Sequence, residues 1–348
     1  MAMTRVLVPL DLPATMRLPP ASAEVRALGG PTMGTTWSVR FVLPPPVALD
    51  AVSRAIDRVL AGVTAEMSTW IADSDISRFN SGAPQTWHEL PVDLDDVLRY
   101  ALTIAADTGG YYDPTIGALV DLWGFGPTGP RRGVPEHGVP DHGVPDHGAI
   151  DAAAARGGFR RLMLAPGRRA LQPGGMQLDL SSIAKGFAVD RIAEALSRLG
   201  VADHLVEIGG ELKGSGMKPD GSPWWVAIEE PAAAHAGIAA QSRSIVALHG
   251  LAIATSGDAQ RAFESDGRLF SHTIDPRTGW PVSDRLAAVT VLHRSCMRAD
   301  ALAMALTVLG PDDGMSFAQA RGLAARFVIR RARRFEERMT PAFAAMLE

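Results

Sequence analysis

Residues 159–164, 204–208, 211–216, 224–228, 244–249, 269–274, 287–292 and 325–329 are short runs of strand-forming residues bounded by Gly, Pro or Asp. Only two stretches among them have helical periodicity: 181–199, which stops at Gly200, and 296–309, which stops at Gly310. Parallel strands need a long crossover, usually a helix, between each pair, whereas antiparallel strands join through tight turns. Two helices cannot serve so many strands. The sequence therefore predicts an α+β fold with a largely antiparallel or mixed sheet flanked by helices, not a doubly wound one.

The first half is simpler. Residues 35–43, TTWSVRFVL, alternate and run into three prolines, a strand and its stop. Val52, Ile56, Val59, Leu60 and Val63 recur at helical spacing and predict a helix over 50–67. A second helix is expected from Asp93, as N-cap, to the Gly109–Gly110 stop. Residues 1–27 are broken by prolines and lack periodicity, so they are expected to form a loosely ordered arm. No linker interrupts the rest, so residues 28–348 are expected to fold as one compact unit. The run GVPEHGVPDHGVPDHG, 133–148, repeats every five residues. Its histidines and acids invite a metal reading, but Pro and Gly at that spacing cannot build a core. The segment from about 130 to 148 reads as a flexible surface insertion.

The chain has 34 Lys and Arg against 38 Asp and Glu, a net charge of −4 with no long basic run, which argues against nucleic acid as its partner. Its single cysteine, Cys296, excludes an internal disulfide and a cysteine-rich metal site. No run reaches the ~18 apolar residues of a membrane helix. The apolar stretch VLVPL at 6–10 is too short for a secretory signal, and no lipid-attachment cysteine stands near it. As written, the chain is expected in the cytoplasm.

Four stretches carry polar residues that a structural role explains poorly. In LDLSSIAKGFAVD, 178–190, Asp179 ends a strand, Ser181 and Ser182 precede a helix, and Lys185 follows on it. A helix N-terminus beside a lysine suits an anion, although Ser182 as a simple N-cap with a surface Lys185 fits the spacing as well. HLVEIGGELKGSG, 204–216, places two glycines between strands, either a hairpin turn or a close approach to a ligand. TSGDAQR, 255–261, and SHTIDPRTGWP, 271–281, bring His272, Asp275, Arg277 and Thr278 around turn residues. His272 is suited to proton transfer and Arg277 to phosphate or carboxylate. In RADALAMALTVLG, 298–310, Asp300 heads an apolar helix with Met304 one turn on. It reads either as a helix-end charge or as an oxygen ligand for a hard cation such as Mg²⁺. No G-x-S-x-G, H-E-x-x-H or Walker motif competes, and no dinucleotide-binding G-x-G-x-x-G follows a strand.

Taken in order, GPTMGTTW, MSTWIADSDISRFN, YYDPTIGALVDLWGFG, DLSSIAKGFAVD, EIGGELKGSG, TSGD, HTIDPRTGWPV and ADALAMALTVLG resemble the FAD:protein FMN transferases, the ApbE family, over roughly residues 28–345. The resemblance implies a Mg²⁺-dependent transfer of the FMN half of FAD onto a threonine hydroxyl of a target flavoprotein, through a phosphoester bond and with release of AMP. It implies flavin contacts at Met33, Trp70, Gly117, Ala118, Leu119, Asp179, Lys185 and Ile274. It implies metal ligation at Ser182, through its carbonyl, at Asp300 and at the position of Met304. His272, Lys185 and Asp300 are the implied catalytic residues, with His272 matching a histidine held to assist proton transfer.

This chain departs from the family pattern at several positions. Met304 stands where Thr is usual, Ala118 where Pro is common, Ala259 where an aromatic is common, and Ser271 where a second His is often found. The exported-lipoprotein start of many members is absent. A thioether is a poor ligand for a hard cation. Hydrolysis of FAD to FMN and AMP, or flavin carriage with weakened catalysis, are the alternatives these departures leave open.

Overall fold

The computed structural model describes residues 3–12, 16–127, 143–230, 242–257, 262–265, 268–283, 285–331 and 334–347. The chain begins with β1 (Met3–Leu7), β2 (Val25–Thr32), β3 (Thr35–Val42), α1 (Leu49–Met67), α2 (Asp75–Asn80), β4 (Thr86–Glu89) and α3 (Val92–Asp107). It continues through α4 (Gly117–Leu122), α5 (His147–Ala154), β5 (Met163–Ala165), β6 (Arg169–Gln172), α6 (Ala184–Arg198), β7 (His204–Ile208), β8 (Glu211–Ser215) and β9 (Trp224–Ala227). The last part holds β10 (Ser242–Leu248), β11 (Leu251–Gly257), β12 (Ala262–Ser265), β13 (Arg268–Ser271), β14 (Leu286–His293), α7 (Cys296–Ala320), β15 (Ala324–Arg331), β16 (Arg334–Met339) and α8 (Pro341–Ala344).

Eight strands form the main sheet in the order β16-β15-β14-β11-β8-β7-β3-β2. Every neighbouring pair in it is antiparallel, as the scarcity of crossover helices requires. Helices α1, α3, α6 and α7 cover one face, where Val39, Phe41, Val206, Ala252, Ala254, Val289 and Phe327 meet Ile56, Leu98, Ile192 and Leu306 in the principal core. The period-two alternation of a strand turns Ile253 to the opposite face, against Leu7, Trp224, Val246 and Phe343. That face is closed by the small sheet β1-β10-β9. Burial on both sides explains why β14 is apolar from Leu286 to Leu292 except at Thr290, whose hydroxyl bonds that of Thr255 at 3.0 Å.

Several sequence expectations are revised. The first 27 residues are not all a loose arm. β1 pairs in parallel with β10, and Leu7 is fully buried. A five-residue strand is too short to show periodicity, and its partner lies over two hundred residues away. Asp93 does not cap α3. Pro91 occupies the cap position, and Asp93 accepts from Arg191 of α6 at 2.7 Å. Residues 159–164 divide into a short 3-10 turn, Phe159–Arg161, and β5.

A second helix from Pro311 to Ala320 completes α7, and the helix that starts at Cys296 stops at Gly310 as expected, since φ 82° and ψ 179° at Gly310 are not helical. Its N-cap is Ser295, which accepts from Arg298 N at 3.3 Å. Asp300 therefore lies in the second turn and is not a helix-end charge. Most of the five-residue repeat, with Asp258 and Ala259, lies outside the described residues. Its end is ordered: Asp146 accepts from Ala149 N at 2.8 Å and starts α5, and the His147 ring lies 5.1 Å from Trp280. Among the described residues no helix is long and apolar enough to cross a membrane.

Candidate active site

The site is built where α6 crosses α7. A side chain at Gly186 would bring a Cβ within 2.4 Å of the Cys296 carbonyl oxygen and 2.8 Å of Asp300 Cβ, so only glycine lets the two helices approach this closely. The approach allows Gly186 N to donate to Asp300 Oδ2 at 3.0 Å. One turn along α6, Asp190 seats the start of α7. Its carboxylate accepts from Cys296 N and Met297 N, both at 3.0 Å, from Ser295 Oγ at 2.7 Å and from Lys213 Nζ at 2.7 Å. An acid at those free N–H groups suits the positive end of the helix.

Lys185 reaches β8, where its Nζ donates to Glu211 Oε2 at 2.7 Å. Glu211 is 3 % exposed and Asp300 8 %. Two buried carboxylates thus stand near one ammonium, which pairs with Glu211, and Asp300 forms no ion pair among the described residues. Burial, then the neighbouring Asp300, pushes the Glu211 carboxyl up, against the pull of Lys185. Burial also raises Asp300, opposed by Lys185 and by the Gly186 N–H. Desolvation works to lower Lys185, but Asp300 and then Glu211 outweigh it and hold the ammonium above the ordinary lysine value. Sequence reasoning missed Glu211. The available signal was an acid directly after a Gly-Gly turn, on a strand facing the helix that carries Lys185.

Gly209 and Gly210 form the two-residue turn between β7 and β8, with φ of 57° and 98°. The hairpin reading of EIGGELKG is thus correct. Its tip touches that of the β2–β3 hairpin, since Gly209 N donates to the Thr36 carbonyl at 3.1 Å. The other tip is Met33–Gly34, with Met33 at φ 47°. Met33 therefore stands at the same sheet end as Glu211.

Ser182 lies in the turn before α6 and is not its N-cap, a position taken by Ile183. Its hydroxyl instead donates to Tyr112 Oη at 3.2 Å. Burial, with Asp300 and Asp179 nearby, raises the Tyr112 phenol and keeps it neutral. Asp179 Oδ1 accepts from Ser181 N at 2.8 Å and Ser181 Oγ at 2.6 Å. The segment holding Asp179 is clamped on both sides. Asn80 makes two hydrogen bonds to Leu178, Asp179 N donates to the Pro114 carbonyl at 2.9 Å, and Gly117 N donates to the Gln177 carbonyl at 3.0 Å. Gly117 and Asp179 are thereby neighbours.

Ala118 and Leu119 are buried in a separate cluster with Trp123, Ile150, Phe270 and Ile274. Trp123 Nε1 donates to the Gly279 carbonyl at 2.8 Å and fixes the HTIDPRTG loop to α4. His272 leaves that loop with its ring 6.2 Å from Phe125, edge to face. Arg277 is held by Asp275 at 2.9 Å and lies 3.4 Å over the Tyr111 ring. Trp70 is half exposed beside Ile71, which lines a cavity of about 410 Å³ with Thr32, Trp37, Leu60 and Ser74.

The structure thus joins Ser182, Lys185, Asp300 and the unforeseen Glu211, and sets Asp179 and Gly117 next to them. Ala118, Leu119, Ile274 and His272 belong to the adjoining cluster and loop, Met33 to the sheet end, and Trp70 precedes the cavity-lining Ile71. Met304 packs, half-buried, against the principal core. No group of three His, Cys, Asp or Glu side chains poised for a metal occurs among the described residues.

The chain has similar counterparts among known proteins. The ApbE family model matches residues 33–327. A FAD:protein FMN transferase of Vibrio cholerae is 36% identical over 326 residues, covering 93% of this chain and 93% of the relative. That of Escherichia coli K12 is 32% identical over 333 residues, covering 94% and 90%. The apo crystal structure of Pseudomonas stutzeri flavinyl transferase ApbE superposes with a TM-score of 0.83 at 40% identity, covering 93% of this chain and 97% of that one. The ApbE protein of Thermotoga maritima gives 0.78 at 26% identity, with 93% and 99% covered. Sequence and fold agree, and the chain belongs to the ApbE family.

Proposed function

We propose that this chain is a flavin transferase that moves the FMN half of FAD onto a threonine hydroxyl of a target flavoprotein, with Mg²⁺ and release of AMP. The observation that carries the reading is the buried group of Lys185, Glu211 and Asp300, with Ser182, Asp179 and Gly117 on the adjoining segments. Phosphoryl transfer asks for positioning and charge neutralisation more than for covalent help. In the reaction a bond forms between the threonine Oγ and the FMN phosphorus. The bond from that phosphorus to the bridging oxygen breaks, and the oxygen leaves on AMP.

Residues of this chain supply the binding and the proton path. Lys185 lies where its ammonium can face a pyrophosphate oxygen. Asp179 offers an acceptor for a hydroxyl or amino group of FAD, and Trp70 a flat face for the isoalloxazine ring. His272 is the base for the threonine proton. The Gly117–Leu119 segment and Ile274 form the apolar wall. Met33, at the hairpin tip, stands next to the ring site.

The donor set fits Mg²⁺ in part. Asp300 is a buried carboxylate without an ion pair, a state that a bound cation relieves. Ser182 adds a carbonyl oxygen, whereas the Met304 thioether adds no hard donor, so phosphate and water oxygens complete the shell. When bound, the ion would neutralise charge on the pyrophosphate.

Incubating the purified chain with FAD, Mg²⁺ and an acceptor domain, then measuring the intact mass of the acceptor, tests the proposal. A gain equal to FMN less water, lost when the acceptor threonine is replaced by valine, is the expected result. Free FMN and AMP without acceptor labelling makes the chain an FAD pyrophosphatase, and intact bound FAD makes it a carrier.

A further inference from the structure

We propose that Glu211 is a positioning residue that holds Lys185 away from Asp300 and so keeps the Asp300 carboxylate open to a divalent cation. The inference rests on the function proposed above and concerns how its metal site is kept available.

Lys185 and Gly186 are consecutive on α6, and the Gly186 N–H already donates to Asp300 at 3.0 Å. The lysine is therefore next to the one buried carboxylate in the group that has no cationic partner. A flexible ammonium beside such a group should close onto it, because an unpaired buried charge is costly. It does not: Nζ lies 2.7 Å from Glu211 Oε2, and no Lys185–Asp300 ion pair forms among the described residues. Glu211 competes successfully because its place is fixed. It follows the Gly209–Gly210 turn at the first position of β8, where pairing with Ile208 sets its direction. An ammonium on Asp300 would occupy the site a divalent cation needs. The tether to Glu211 leaves the lysine charged and nearby, but to one side.

This predicts an interaction between substitutions that a merely structural role for Glu211 does not. In Glu211→Gln the lysine loses its anionic anchor and turns to Asp300, so divalent-ion affinity falls although Glu211 is not a ligand. Adding Lys185→Met removes the competing ammonium and restores affinity.

The test uses Mn²⁺ as the probe, bound to the full-length chain without FAD and followed by electron paramagnetic resonance. The expected loss in Glu211→Gln is on the order of tenfold, the scale on which outer-sphere partners act. Most of it returns in Glu211→Gln/Lys185→Met. Should Glu211→Gln fail to fold, Glu211→Asp with and without Lys185→Met carries the same comparison. Wild-type Mn²⁺ binding together with an unchanged affinity in the Glu211 variant, or with a double variant no better than the single, overturns this inference alone. A wild-type chain that takes up no Mn²⁺ overturns it together with the metal reading of the proposed function.

Discussion

The backbone N–H of Gly186 donates to the carboxylate of Asp300 at 3.0 Å, and the missing side chain of that glycine is what permits the contact. A methyl group there would meet the Cys296 carbonyl at 2.4 Å and Asp300 Cβ at 2.8 Å, both on a packed helix. Backbone cannot yield as the end of a flexible side chain can. Gly186→Ala is therefore expected to cost about 1–3 kcal/mol of stability, the range for overpacking. It should also displace Asp300. Urea unfolding gives the first effect, and Mg²⁺ dependence of activity gives the second. A variant as stable and as active as the wild type would show that the helices separate freely.

Asp190 joins the same two helices by charge. Its carboxylate receives two backbone N–H groups of α7, the Ser295 hydroxyl and the Lys213 ammonium. Asp190→Ala leaves those donors without an acceptor and is expected to destabilise the chain by about 2–4 kcal/mol, combining a lost cap with unpaired buried donors. Asp190→Asn keeps the shape and one acceptor and should cost less. Thermal unfolding of the two variants checks the order. If Asn and Ala are equally costly, the charge on Asp190, not its hydrogen bonding, fixes α7.

How much of this was legible in the residues follows from distance along the chain. The antiparallel sheet was, because strand runs and helix runs are local patterns and their ratio restricts the topology. The family motifs were legible for the same reason, each being contiguous. Glu211 was not, since it meets Lys185 across 26 residues, and Asp190 caps a helix 106 residues away. Composition and spacing contain no term for such pairings. β1 was missed because five residues give no period and its burial depends on β10 and Phe343. Gly310–Pro311 was legible as a stop because both residues end helices locally, whereas the second helix from Pro311 was not, since only Pro311, Gly314 and Ala318 of it are buried.

His204 makes stability depend on pH. It is 1 % exposed at the start of β7, with Nδ1 2.9 Å from the Val201 carbonyl, so Nδ1 carries the proton and donates. Burial lowers its pKa below the ordinary 6.5, only partly opposed by that hydrogen bond. The unfolded chain therefore takes up the proton first as pH falls. The contribution of His204 is complete above the unfolded value, about 6.5, and is lost as pH drops through the lower folded value. His293, also lowered by burial, acts in the same direction in both proteins compared. Melting temperatures between pH 7.5 and 5 should fall more steeply for the wild type than for His204→Asn. Parallel curves would mean that His204 does not titrate differently on folding.

Met304 stands one helical turn beyond Asp300 on α7, so the two share a face. It is half-buried against the principal core, where a flexible thioether packs well. Packing is thus one reason for methionine here, but it leaves the proposed cation without a hard donor at that position. Met304→Thr supplies a hydroxyl at the cost of part of the apolar contact. A stability loss of about 1–2 kcal/mol is expected from the smaller side chain. In return, the Mg²⁺ concentration for half-maximal activity should fall several-fold, the scale for one added ligand or outer-sphere contact. Titrating Mg²⁺ against transfer or FAD cleavage in both proteins reads the effect directly. Unchanged Mg²⁺ dependence with the expected loss of stability would place residue 304 outside the metal shell, leaving Asp300 and Ser182 as the protein ligands.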